Sequence, residues 1–242
     1  MKTTIKTRFS LGMKIVGILS CLAIVSVGFA AWWIIKYPEP QSYESGSFTV
    51  YAVDEKEIQF TGITTQGNAE IVFGAPATPE TEGWLGYNDM ATENLTAIVK
   101  FTVSINGTND QLSKYLDGID VTFDPGAAFE TVNGNYLAAP KVYYQIDKTD
   151  GEWTELTDGL VPAPNKDVAD VYLKFEFGWG EATEGKNPYN YFNGKEVDQK
   201  HATITDKTNK DVATEMLTAI NGLNTNKYRV QISANPKSNS NG

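Results

Sequence analysis

His201 is the single histidine in 242 residues, and the single cysteine, Cys21, lies inside a long apolar run, so hydrolytic or metal chemistry would have to be built around His201 or around carboxylates. A zinc site normally draws on several imidazole or thiolate ligands, and this chain has one imidazole between Lys200 and a threonine-rich segment. A Ser-His-Asp relay would also have to use His201, and no GxSxG elbow is present to supply the nucleophile. On sequence, His201 reads as a solvated loop histidine. Glu152 with Glu155, and Glu181 with Glu184, have the residue types of a glycosidase acid and nucleophile. Such a pair is defined by the separation of its oxygens in space, which spacing along the chain does not report. Asp117, Asp120 and Asp124, or Asp147, Asp150 and Glu152, offer the hard oxygens that calcium takes, but neither set follows the DxDxDG order of a calcium loop. They read as solvated acidic turns, with structural calcium as the alternative; no other cofactor and no catalytic residue is implied. The remaining chemistry lies in the loop 179–192, where Trp179, Tyr189, Tyr191 and Phe192 cluster among Gly and Asn. Exposed, such rings stack on sugars or anchor a peptide, making this the candidate binding loop; buried, they plug one open end of a β-sandwich.

The elements that must position these residues are mostly strands. FTVYAV (48–53) and EIQFTGIT (57–64) flank Asp54-Glu55-Lys56 and predict an antiparallel hairpin, with AEIVF (69–73) as a third strand. The stretch 95–105 alternates apolar and polar residues, the pattern of a half-buried strand central to a sheet. A helical turn over 109–116 and strands at 119–123 and 136–146 follow, and Asp150-Gly151 predicts a hairpin from 142–146 to 152–156. The longest strand is 168–179, with Val171, Leu173, Phe175 and Phe177 on one face. Val212, Met216, Ile220 and Leu223 recur at helical spacing and predict one short amphipathic helix over 209–223, before a last strand at 228–234. No βαβ alternation occurs. The fold class is therefore all-β, an antiparallel β-sandwich with jelly-roll topology, and the organisation is 1–36 leader or anchor, 37–47 linker, 48–234 sandwich domain and 235–242 disordered tail.

Leu11 to Ile35 gives the address. Its part from Ile15 to Ile35 is uncharged and as a helix would be about 31 Å long, one hydrocarbon core. Lys2, Lys6, Arg8 and Lys14 precede it and no acid occurs before Glu39, so the N-terminus stays inside and the rest is exported to the extracellular space or the cell surface. Gly28 and Ala30 satisfy the small-residue rule of signal peptidase, with cleavage between Ala30 and Ala31; Trp32, Trp33, Lys36 and Tyr37 equally suit the fringe of a retained transmembrane helix that tethers the domain. The cut is favoured. Beyond residue 37 there are 15 Lys and Arg against 30 Asp and Glu, a net charge of −15 that disfavours nucleic acid as a partner. The exported part has no cysteine and so must be held by its core.

The leader SLGMKIVGILSCLAIVSVGFAAWW (10–33), followed by SGSFTV (45–50) opening an all-β domain, resembles the secreted proteins matured by SipW-type signal peptidases, the TasA/camelysin family. That resemblance implies a jelly roll, export, a place in the biofilm matrix and self-assembly into fibres by strand exchange. The metalloprotease activity described for camelysins does not carry over, because no HExxH is present. The expected function is a non-enzymatic cell-surface or matrix protein, structural or adhesive, with a glycan- or peptide-binding module built on loop 179–192 as the alternative.

Overall fold

The computed structural model describes residues 41–45, 47–53, 58–66, 70–74, 78–79, 85–86, 93–106, 109–130, 135–147, 151–223 and 226–237. The leader, its expected helix and the cleavage residues Ala30 and Ala31 lie outside the described residues, as does the end of the tail from 238. Among the described residues no helix is long and apolar enough to cross a membrane.

Among the described residues twelve strands run in chain order: β1 Gln41–Ser45, β2 Phe48–Val53, β3 Ile58–Gln66, β4 Thr78–Pro79, β5 Leu85–Gly86, β6 Thr96–Ile105, β7 Leu116–Asp124, β8 Leu137–Ile146, β9 Thr154–Glu155, β10 Leu160–Pro162, β11 Val168–Trp179 and β12 Tyr228–Pro236. The described α-helices are α1 Ala127–Glu130, α2 Pro188–Phe192 and α3 Asn209–Leu223. Two five-stranded sheets form, β1-β2-β12-β7-β10 and β3-β6-β11-β8-β9, and β4 pairs with β5 alone. The two large sheets share one apolar core, as expected of a β-sandwich.

Alternation explains the faces. In β6, Ala97, Val99, Phe101, Val103 and Ile105 are buried, while the residues between them are half-buried. In β11, Val171, Leu173, Phe175 and Phe177 point inward, against β6 on one side and β8 on the other. The outward residues are held by charge: Lys100 pairs with Asp170 at 2.6 Å, and Lys174 pairs with Glu176 at 2.6 Å beneath the rings of Tyr143 and Trp153. The β8–β9 hairpin forms where Asp-Gly placed it.

Three expectations are corrected. First, β2 and β3 are not a hairpin. β2 lies in the first sheet between β1 and β12, and β3 lies at the edge of the second, so the chain crosses the sandwich between them. Both strands have apolar faces that the core can absorb separately, which local alternation cannot tell from a hairpin. Second, parts of the expected linker and of the expected disordered tail are folded: Gln41–Ser45 pairs antiparallel with β2, and Asn235 and Pro236 pair with Gly118 and Leu116 of β7. Ser47 is buried, accepting the Ile71 N–H on its Oγ (3.1 Å) and the Tyr228 N–H on its carbonyl (2.8 Å). Third, 70–73 forms only a single bridge, Val72 to Asn94. The β2–β12 pair is parallel, an exception in otherwise antiparallel sheets.

Candidate functional site

The chain downstream of β11 builds the most elaborate local structure. At the end of the strand Gly180 lies so close to the 135–137 backbone that a Cβ there would sit 2.7 Å from the Asn135 carbonyl oxygen. This close approach admits only glycine, and it brings Leu137 and Asn135 under the turn that follows. A 3-10 turn, Glu181–Thr183, is ended by Glu184 and Gly185, both in the left-handed region at φ 52° and 72°, which reverses the chain. Asn187 then caps α2 by accepting the Tyr189 N–H on its side chain at 2.8 Å, with Pro188 at the first helical position.

These turns put the expected binding loop indoors. Trp179 is 6 % exposed, Tyr191 4 % and Phe192 fully buried; Tyr189 is half-buried. The indole of Trp179 meets Phe73 edge-on at 5.6 Å and donates its Nε1–H to Glu93 at 3.1 Å. Tyr191 and Phe192 meet edge to face at 4.8 Å. Rings committed in this way are not an exposed stacking platform for sugar or peptide, and the binding-loop expectation for Trp179, Tyr191 and Phe192 is corrected: they are buried in the core cluster.

His201 is also corrected. It is 1 % exposed, not solvated, and packs against Tyr191 (5.5 Å) and Phe192 (5.9 Å). Its Nδ1 accepts the backbone N–H groups of Thr203 at 3.3 Å and Ile204 at 3.1 Å. Burial, and then the nearby Lys195 ammonium, hold the imidazole below its ordinary pKa; a backbone contact with Ala182 and the Glu184 carboxylate act against them. The Lys195 ammonium lies 3.3 Å from the centre of the Tyr191 ring, and burial lowers its pKa too. The histidine sits on a hairpin whose ends meet in the Lys200–Thr208 bridge, and whose base is tied by Asn209 Nδ2 donating to the Glu196 carbonyl at 2.9 Å.

A cleft of about 620 Å³ is lined by Leu137, Ala138, Trp179, Glu181, Glu184 and Thr203, among others. Its lining is mainly apolar and includes the two glutamates Glu181 and Glu184. Glu184 is paired with Lys186 at 2.8 Å, which holds its carboxyl below the usual range. Thr203 closes one wall by donating its hydroxyl to the Glu181 carbonyl at 3.2 Å.

No family model, curated protein or solved structure matches this chain. Its site must therefore be read from its own geometry. The acid pair Glu181 and Glu184, uninformative on spacing, does share the cleft lining. Glu155 of the other pair instead faces Lys141 at 3.7 Å. Among the described residues no three His, Cys, Asp or Glu side chains converge as metal ligands. In the first calcium set Asp120 accepts from Asn235 at 3.1 Å and Asp124 from the Gly126 N–H at 2.8 Å. In the second, Asp147 is taken up by Lys166 at 2.5 Å and by the Asp170 N–H at 3.0 Å, and Asp150 lies outside the described residues. The sequence reading missed the burial of His201; the Asn187-Pro188 pair was the one available signal that a helix turns the loop back onto the core.

Proposed function

We propose that the protein is an exported, non-enzymatic domain of the cell surface or extracellular matrix, structural or adhesive in role, that assembles by exchanging its N-terminal strand pair. The observation that carries this is the placement of β2. Phe48, Val50 and Ala52 are fully buried, yet β2 touches the rest of its sheet only through the parallel pair with β12. Withdrawing β1 and β2 together would leave β12 an open edge beside an apolar trough with room for the same three side chains from a neighbour, the logic of strand addition. The resemblance of the leader and of Ser45 to Val50 to the TasA/camelysin family supports the same reading, as does a topology we take as jelly-roll-like apart from its parallel pair. Residues 11–35 would carry the chain to the membrane, where signal peptidase would cut after Ala30. The buried His201 supports a non-enzymatic role, since an imidazole whose Nδ1 is committed to two backbone amides has no freedom to act as a general base.

Thr49 and Arg229 face each other in the β2–β12 register. In a Cys21→Ser background, a Thr49→Cys, Arg229→Cys variant oxidised at high protein concentration should yield a covalent ladder on a non-reducing gel. A single intramolecularly bridged monomer, with monomeric light scattering of the unmodified protein at that concentration, overturns the reading.

A further inference from the structure

The Nδ1 atom of His201 faces two donors in the loop that follows it, the amides of Thr203 and Ile204 at 3.3 and 3.1 Å, and lies 3.3 Å from the Thr203 hydroxyl, whose own proton goes to the Glu181 carbonyl. Backbone amides can only donate, so Nδ1 must carry the lone pair and the ring must be the neutral Nε2–H tautomer. Nε2 itself is buried without a hydrogen bond of good geometry. The ring thus works as a plug, apolar faces against Tyr191 and Phe192 and one acceptor edge stitching the 200–208 hairpin shut.

We propose that His201 is a proton-released latch: a proton taken from solvent onto Nδ1 turns the acceptor into a donor pointing at two N–H groups, expels the ring, and frees the hairpin that forms the Thr203 wall of the cleft. The surroundings bear this out from each side. The turn after β11 presents Glu184, which favours a charged ring, but this carboxylate already pairs with Lys186. Glu181 on the same turn is exposed and meets the hairpin through its carbonyl. α2 presents Tyr191, whose hydroxyl is buried and unpartnered. Lys195, just beyond α2, presents a cation that opposes a second charge. On the hairpin, Lys200 and Asp206 are exposed, and Lys207 pairs with Glu215 of α3 at 2.6 Å. Asp211 of α3 is occupied by the Thr208 N–H at 3.0 Å and hydroxyl at 2.7 Å. Among the described residues no further carboxylate is left over to receive an imidazolium inside the site. Once the ring leaves, the hairpin keeps its Lys200–Thr208 bridge, so opening is local. The latch does not depend on strand exchange.

The test is amide hydrogen exchange of the full chain between pH 4 and 8, corrected for intrinsic rates. Protection at Thr203 and Ile204 should fall about tenfold per pH unit below about 6.5, levelling off where the folded ring itself titrates, while β6 and β11 stay protected. In His201→Asn the Oδ1 can accept the same amides without titrating, and protection should be flat with pH. Lys195→Met removes the neighbouring cation and should move the levelling-off to higher pH. Nitrogen NMR of the unaltered ring provides a check that needs no variant: a proton on Nδ1 at neutral pH overturns the latch. So does flat protection at both amides through the ring's titration, or a loss shared equally by β6 and β11.

Discussion

Phe48 of β2 lies 5.1 Å from Phe175 of β11, ring centroid to ring centroid, in the opposite sheet. The contact belongs to an aromatic cluster that continues from Phe48 to Tyr228 at 5.5 Å and from Tyr228 to Phe177 at 4.8 Å. It pins the N-terminal strand pair to the centre of the core, so any strand exchange must break and remake this cluster.

Phe48→Ala should therefore cost about 3–5 kcal/mol of stability, read from the urea midpoint at constant slope. A cost under about 1 kcal/mol would mean that β2 contributes little to the core.

Gly180→Ala should be destabilising by about 1–3 kcal/mol although its backbone is extended at φ −89°, because the added Cβ meets backbone atoms of Asn135 and Leu137 at 2.7–2.9 Å and these cannot rotate away. Thermal unfolding of the variant beside Gly178→Ala, where the nearest neighbour is a side-chain methyl at 3.6 Å, separates close approach from a general loss of glycine.

Phe192→Ala tests the burial of the loop aromatics. Phe192 is fully buried against Tyr191 and His201, so the variant should lose about 3–5 kcal/mol and expose the 200–208 hairpin to protease. Unchanged stability together with a lost ligand would restore the ring to a surface role.

Asp170 gives a pH dependence. The hydrogen bond from Lys100, and then that from Thr102, hold its carboxyl below the ordinary 3.8. A lowered folded pKa means the pair stabilises above about 3.8, and that this contribution is lost as pH falls from there through the folded value. Both side chains are about a third exposed, so solvent screening keeps the contribution small. Asp170→Asn should lower stability at pH 7 and flatten its acid dependence between pH 4 and 2, as measured by urea unfolding across that range.

The strand positions were legible in the residues because alternation is a local property. Val99, Phe101 and Val103 in β6, Val171 to Phe177 in β11, and the Asp-Gly hairpin from β8 to β9 all declare themselves within ten residues, as does the i, i+4 stripe Val212, Met216, Ile220 in α3. The site was much less legible. Its acid pair could be named but not located, and its histidine was assigned to water because neighbours in sequence, lysine and threonine, are polar.

What the sequence determined by itself is which residues of each strand face inward and that the chain beyond residue 37, which has no cysteine, is held by an apolar core without disulfides. Only the tertiary structure decided which strands become neighbours. Four residues separate β2 from β3, and both a hairpin and a crossing bury the same alternate side chains, so partner choice rests on contacts with β12 and β6 that lie far along the chain. The same holds for Trp179, Tyr191, Phe192 and His201: a polar, glycine-rich loop is buried when Gly180, the capped α2 and α3 fold it back on itself. Burial there is a property of distant surfaces meeting, which no window of local sequence contains.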